Sequence, residues 1–334
     1  MIRPDIILAL LPVLAFLGAL MYMDSYKLLR LPAVLVTILA GCGTAAIALL
    51  ANTLLMRETL LDPPLFSRYA APLVEEMLKG AVLLALFRAN RVGFMVDGAI
   101  RGFAIGAGFA LVENVVYYVN RPDAHLYLWI IRGFGTAVMH GGTTAVVGII
   151  GKYLMDRYPR WGFAALGPGL GIAVAVHSLY NHFFVNPLVS TLLVLVILPG
   201  LILAVFRQSE RGTREWLGIG FDSDRELLDM ITTGVLAENK IGQYLHSLQD
   251  RFPGETVADM LCYLRNHLEL AIRAKGLLLM REAGFELPPD PEARSQFEEL
   301  RYLEKSIGRT GRLALHPFLH SRSRDLWQMN MLQD

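Results

Sequence analysis

Ionisable and polar side chains recur inside the apolar runs of this sequence, where each of them is costly. They are Glu75, Glu76 and Lys79 in APLVEEMLKG, Glu113 in GFALVENVVYY, His140 in GTAVMHGGTTAVVG, and His177 and Asn181 in VHSLYNHF. Carboxylates and imidazoles transfer protons or bind metal ions, and amides donate to a developing oxyanion. These residue types together are suited to activating water and hydrolysing an acyl bond.

Simple packing explains these residues one at a time but not as a set. Glu75 and Lys79 stand at i and i+4, the spacing of an intrahelical ion pair, which leaves Glu76 over. Glu113 has no cation nearby in its own segment, and Arg132 lies near a span end, where snorkelling to the interface is expected. Charges within spans cost a few kcal/mol each and usually face the bundle interior. We therefore expect the acids and histidines of consecutive spans to share one site.

The elements that must position them are membrane helices. The chain has 334 residues, of which 54% are hydrophobic and 18% charged. Apolar runs of about 18 residues or more are candidates for membrane spans. We predict seven spans, at residues 5–23, 32–56, 70–87, 93–119, 127–155, 162–184 and 187–206. The predicted fold is all-α, with a polytopic membrane bundle over 1–206 and a soluble helical domain over 207–334.

The distribution of basic residues predicts the orientation. One set of short loops is richer in Lys and Arg, and such loops lie in the cytoplasm. With seven spans in the cell membrane, the N-terminus is outside and the C-terminal domain is cytoplasmic. That domain reads as amphipathic helices without a catalytic constellation, so we expect it to bind a regulatory partner. A formal net charge of +1 gives no indication of nucleic-acid binding, and two cysteines in different regions indicate no disulfide framework.

Four motifs in order resemble those of a known family. EEMLK is similar to an EExxK motif, FALVEN to an FxxxE-N motif, and MHGGT and HSLYN to two later histidine motifs. As a set over about residues 70–185 they resemble the PrsW family of intramembrane proteases, distant relatives of the CAAX prenyl endopeptidases and bacteriocin-processing membrane proteases. The resemblance implies cleavage of a membrane protein or a membrane-proximal peptide. It places Glu75 and Glu76 at the base position and Glu113 where the prenyl endopeptidases have His, and His140, His177 and Asn181 supply the rest.

Two mechanisms remain open for these residues. Glu113, His140 and His177 form a two-histidine, one-carboxylate set, as in several zinc hydrolases. Glu75 or Glu76 would then be the general base, and Asn181 would stabilise the oxyanion. In the metal-free alternative one Glu activates water, His177 and Asn181 bind the oxyanion, and Glu113 orients a histidine. We favour zinc, because a carboxylate between two buried histidines is otherwise an unbalanced charge.

Two further functions compete with proteolysis. A transporter or proton-coupled channel also places Glu and His in spans, but it predicts inverted repeats, which are not seen. A non-catalytic membrane scaffold that signals through its helical tail predicts no requirement for the Glu and His set. A protease of the serine class would require a nucleophile motif such as GxSxG, and the sequence has none.

Overall fold

The elements of the chain are helical, as the apolar periodicity predicts. The computed structural model describes residues 4–59, 61–121, 123–233, 240–285, 291–319 and 323–333, and no strand occurs in these ranges. The predicted all-α class is confirmed. Two compact units divide the chain, Met1–Glu210 and Arg211–Asp334. The sequence analysis places this boundary after residue 206.

Seven long helices follow one another through the first unit and into the second. They are α1 (Pro4–Met23), α2 (Leu31–Glu58), α3 (Ala71–Arg88), α4 (Met95–Asn120), α5 (Ala137–Arg157), α6 (Leu166–His182) and α7 (Pro187–Thr233). Short helical segments lead into three of them: Pro63–Leu65 and Phe66–Ala70 before α3, Leu126–Ile130 and Ile131–Thr136 before α5, and Pro159–Ala165 before α6.

Six segments in the described ranges are long and apolar enough to cross a membrane. They are Asp5–Met23, Leu31–Glu58, Met95–Asn120, Leu126–Arg157, Pro159–His182 and Pro187–Thr233. The remaining predicted span, 70–87, corresponds to α3. This 18-residue helix carries Glu75, Glu76, Lys79 and Arg88. Its length of about 27 Å is close to the thickness of a bilayer core. Helix α3 packs against α2 and α6, and its Glu76 and Lys79 are buried there, whereas Glu75 is half-buried and Arg88 at the end of the helix is exposed.

Helix α4 contains the most buried apolar stretch of the six candidate spans of the first unit, Met1–Glu210, which is called the membrane unit below, and it packs against α1, α2 and α5. Small residues make the contact with α5 possible. A Cβ on Gly102 would overlap the carbonyl oxygen of Thr144, and a Cβ on Gly106 would overlap that of His140. Glycines at such positions let two backbones touch. The main chain of His140 therefore rests directly on α4.

Two wide π-helical turns stand immediately before the helices that carry the polar residues. Phe66–Ala70 leads into α3, and Ile131–Thr136 leads into α5. Each turn inserts an extra residue, which rotates the side chains before it by about 100° relative to those after it. Apolar periodicity read from the sequence cannot follow this change of phase.

The second unit contains the end of α7 and four further helices. They are α8 (Lys240–Ser247), α9 (Gly254–Glu282), α10 (Pro291–Leu315) and α11 (Ser323–Gln333). Helix α9 packs against α10 and α11 around an apolar core. A buried ion pair joins Lys275 of α9 to Asp224 of α7, with 2.5 Å between nitrogen and oxygen. The described residues of this unit are thus helical, in keeping with the all-α fold.

We predict that Gly106→Ala destabilises the membrane unit by about 1–3 kcal/mol, because the new methyl must displace the backbone of α5. Gly43→Ala in α2 is the matched control, since a Cβ there meets no atom within 4 Å. Thermal unfolding of both variants in detergent measures the difference. Equal melting temperatures for the two variants would show that α4 and α5 do not require the close approach.

The connection between α1 and α2 contains a buried acid. Asp24 is 4% exposed, and its Oδ2 accepts a hydrogen bond from the Leu28 N–H at 2.7 Å. Burial and then the neighbouring Asp97 carboxylate raise the pKa of Asp24 from 3.8 to about 7. The folded protein therefore holds a proton on Asp24 at pH values where the unfolded chain has released it.

We predict that this group makes the protein less stable as pH rises. The folded pKa lies above the unfolded value of about 3.9, so the free energy of unfolding falls between about pH 4 and pH 7 and is level above that. Asp24→Asn keeps an acceptor and does not titrate, so its melting temperature should exceed the wild-type value by more at pH 8 than at pH 5. Exposed Asp62, changed to Asn, is the control. An equal advantage at both pH values would contradict the prediction.

Candidate active site

Five of the predicted site residues meet at one place in the membrane unit. Glu75 and Glu76 come from α3, Glu113 from α4, His140 from α5 and His177 from α6. The His140 and His177 rings are perpendicular, with their centroids 4.7 Å apart. Ion pairs or hydrogen bonds join each of the carboxylates to a histidine of this pair. Four helices that are apart in sequence thus contribute to one polar cluster.

Glu76 forms the enclosed end of this cluster. Its side chain has no exposed surface, and its Oε1 lies 2.5 Å from Lys79 Nζ and 2.9 Å from His177 Nδ1. The hydroxyl of Thr143 is a further donor, at 3.4 Å from both carboxylate oxygens. The intrahelical partner of Lys79 is therefore Glu76 at i and i+3, so the pairing of Lys79 with Glu75 that the i and i+4 spacing suggested, with Glu76 left over, is wrong. A carboxylate with this many donors serves best to hold its neighbours in place.

Glu75 faces α2 and the other side of His177. Its Oε1 accepts a hydrogen bond from Asn52 Nδ2 at 3.1 Å, and its Oε2 lies 3.8 Å from His177 Nε2. The side chain is 13% exposed. Asn52 is not among the site residues predicted from the sequence. It could have been found as an amide inside the apolar run of the second span, because a buried amide is costly unless it has a hydrogen-bond partner.

His140 joins the two halves of the cluster. Its Nδ1 lies 3.1 Å from Lys79 Nζ, and its Nε2 lies 3.0 Å from Glu113 Oε2. A lysine ammonium can only donate, so this arrangement assigns the acceptor role to Nδ1 and the proton to Nε2. The ring then donates to Glu113. One continuous chain of contacts runs from Glu113 through His140 and Lys79 to Glu76 and His177.

Glu113 is the most accessible carboxylate of the cluster, with 28% of its side chain exposed. Arg132 of the next span supplies the compensating positive charge, with its Nη2 3.0 Å from Glu113 Oε2. The side chain of Arg132 is only 7% exposed, so the expected snorkelling to the interface does not occur. Its π-helical turn directs Arg132 towards α4 instead. The sequence alone offered no partner for either residue.

Asn181 lies one turn beyond His177 but takes no part in this chain of contacts. Its Nδ2 donates to the carbonyl oxygen of Ser67 at 3.0 Å, and the neighbouring Ser178 hydroxyl donates to that of Arg68 at 2.6 Å. Both carbonyls belong to the π-helical turn before α3. The amide predicted to stabilise an oxyanion is thus engaged in fixing the entry to the helix of Glu75 and Glu76.

The cluster can hold a metal ion. One ligand atom from each of Glu75, His140 and His177 lies within 4.8 Å of the others. Zinc binds tetrahedrally at about 2.0–2.2 Å, which separates its ligand atoms by about 3.4 Å, so a modest inward shift would complete the set. His177 also has the usual setting of a metal ligand, with a carboxylate on its other ring nitrogen. This group contains Glu75 where the sequence analysis expected Glu113.

The charge balance also suits a cation. Three carboxylates, Glu75, Glu76 and Glu113, face two cations, Lys79 and Arg132. One negative charge is in excess when all five are ionised, and buried charges require compensation. The residues present therefore fit a divalent ion both in donor type and in charge.

Comparison with known proteins identifies the family. The family model described as PrsW family intramembrane metalloprotease matches residues 30–205, more than half of the chain. These residues include all five members of the cluster. No curated protein and no solved structure matches the chain. The apolar helices, the site and the family match agree, and the chain belongs to the PrsW family, as a multi-pass membrane protein and an intramembrane protease.

Proposed function

We propose that the protein is an endopeptidase that hydrolyses peptide bonds in or near the membrane at the cluster of Glu75, Glu76, Glu113, His140 and His177. The observation that carries this proposal is the continuous chain of contacts between carboxylates and histidines from four helices. Peptide hydrolysis requires a proton acceptor for water, a donor for the leaving amine and charge to stabilise the oxyanion. The cluster supplies these groups inside an apolar bundle.

We propose zinc as the metal, held by Glu75, His140 and His177; His140 would bind it through Nδ1 in place of Lys79 and keep its Nε2–H on Glu113. Zinc held there would lower the pKa of a water bound to it and polarise the scissile carbonyl. Glu76 then orients His177 through Nδ1, as a carboxylate behind a ligating histidine does. A metal-free mechanism in which a glutamate activates water directly is the alternative.

The proton acceptor in this proposal is Glu113. Glu76 is enclosed and already accepts from Lys79 and His177, whereas Glu113 is the most exposed of the three acids. Glu113 also accepts from the Nε2–H of His140. After taking a proton from water, Glu113 can return it to the leaving amine, since one carboxyl group can act as base and then as acid.

The substrate is proposed to be a membrane protein or a membrane-proximal peptide. Asn181 acts in this scheme by holding the turn before α3, not by binding the oxyanion. The proposed orientation has the N-terminus outside and the C-terminal unit in the cytoplasm, where its helices bind a regulatory partner.

We predict that Glu75→Gln and Glu113→Gln separate the metal ligand from the base. Glu75→Gln should lower both bound zinc and peptide cleavage, because the amide is a poor ligand. Glu113→Gln should retain zinc and lower kcat by about 10²–10⁴-fold, as expected for loss of a general base. Metal analysis of the purified variants and cleavage of a membrane-embedded reporter peptide give the two measurements.

Glu58→Gln is the control, since Glu58 is an exposed acid at the end of α2. If Glu113→Gln lost zinc and Glu75→Gln kept it, Glu113 would be the metal ligand and Glu75 the general base. Chelation with phenanthroline and readdition of zinc tests the metal itself. Full activity of the wild-type protein without bound metal would leave the glutamate mechanism.

We predict that Asn181→Ala reduces cleavage far less than His177→Ala, although the two residues share one face of α6. The Asn181 amide supports the backbone at Ser67, whereas the His177 ring contacts both glutamates of α3. Reporter cleavage and melting temperature are measured for both variants. If Asn181→Ala abolished cleavage without a change in melting temperature, Asn181 would act in catalysis by stabilising the oxyanion, as the sequence predicts.

A further inference from the structure

Arg132 makes all of its described side-chain contacts with the last turns of α4. Its Nη2 lies 3.0 Å from Glu113 Oε2, and its Nε donates to Asn114 Oδ1 at 2.9 Å. The guanidinium carbon is 3.6 Å from the centre of the Tyr117 ring. A planar guanidinium can satisfy an acid, an amide and an aromatic face together, which a lysine cannot do.

Asn114 is itself fixed from its other side. The residue is 1% exposed, and its Nδ2 donates to the carbonyl oxygen of Ala9 in α1 at 2.6 Å. Because a guanidinium only donates, Oδ1 must face Arg132 and the amide nitrogen must face the carbonyl. Both ends of the amide are therefore satisfied, and its orientation follows from its neighbours.

The adjoining backbone brings α1 close enough for this contact. Pro12 has no N–H, so the Leu8 carbonyl lacks its usual helical donor. A Cβ on Gly133, the residue after Arg132, would overlap that carbonyl oxygen. Helix α1 thus rests on the π-helical turn of Arg132 and on Asn114.

The acid at the end of this series of contacts is shared with the candidate site. The same oxygen of Glu113, Oε2, lies 3.0 Å from Arg132 Nη2 and 3.0 Å from His140 Nε2. Arg132 and His140 therefore meet the same oxygen, and Arg132 supplies the charge that compensates it. Lys79 occupies the other nitrogen of His140, on the far side of the ring.

We infer that Arg132 is a positioning residue for Glu113 and His140, and that Asn114 and the Ala9 carbonyl of α1 hold Arg132 in place. The series Ala9–Asn114–Arg132–Glu113–His140 keeps the Nε2 proton of His140 on Glu113. Helix α1 contributes no side chain to the proposed chemistry but supports it through this series. The effect on catalysis rests on the proposed function, whereas the effect on His140 does not.

Arg132→Gln and Asn114→Leu test the inference in the full chain in lipid nanodiscs. Asn120→Leu is the matched control, because Asn120 is an exposed amide on the same helix whose Nδ2 donates to the Val116 carbonyl one turn before it. The first readout is the ¹⁵N NMR signal of His140 in the protein freed of bound metal, assigned by its loss in His140→Gln. The second readout is kcat and KM for the reporter peptide.

We expect both variants to change the His140 signal from the Nε2-protonated form to a mixture, with no change in the control. We expect kcat to fall about 10–100-fold, as for other residues that orient a site, with KM changed less than about twofold. Arg132→Lys keeps the charge but loses the contact with Asn114. Its His140 signal and its kcat should lie between those of the wild-type protein and those of Arg132→Gln.

An unchanged His140 signal in Asn114→Leu and Arg132→Lys would overturn the inference. These two variants keep the buried charge pair, so they decide the question even if Arg132→Gln does not fold. If the variants changed the His140 signal but the wild-type protein cleaved no peptide, the proposed function would be refuted and the positioning role of Arg132 would stand.

Discussion

Compensation of buried charge is the constraint on which the membrane unit depends. In an apolar bundle an unpaired carboxylate or ammonium is too costly to retain, so each must find a partner on a neighbouring helix. Lys79 bridges Glu76 and His140, and Glu113 joins His140 to Arg132. Removal of Lys79 or Arg132 would leave Glu76 or Glu113 without its cation. The relative rotations of α3, α4 and α5 are therefore tied to one another by electrostatics.

Close backbone contact makes this compensation geometrically possible. The contacts that bridge the helices are 3.0–3.1 Å long, so the helices that carry these side chains must lie close together. Gly106 admits the carbonyl of His140 against α4, and Gly133 admits that of Leu8 against the turn before α5. Hydrogen bonds from α6 to the turn before α3 fix the third approach. Small residues and backbone acceptors thus set the positions that the charged side chains then join.

Exposure increases along the cluster from its structural end to its chemical end. The Glu76 side chain is fully enclosed, Glu75 is 13% exposed and Glu113 is 28% exposed. Groups that only hold others in place are best kept from water, where their contacts are strongest. Groups that must meet water and a peptide bond need access. In the proposed function, three carboxylates of the same chemistry are in this way given different roles by their surroundings.

The sequence by itself determined the helices, the residue types of the site and the family, because apolar run length and ordered motifs are local properties. Only the tertiary structure decided the partners: Lys79 with Glu76, Arg132 with Glu113, and Asn181 with a backbone carbonyl of the turn before α3. A sequence fixes which residues share one face of a helix, but the rotation of one helix against another depends on contacts between distant segments. The π-helical turns before α3 and α5 add a further change of phase that no periodic pattern records. The partner of each buried charge was therefore decided by packing between helices.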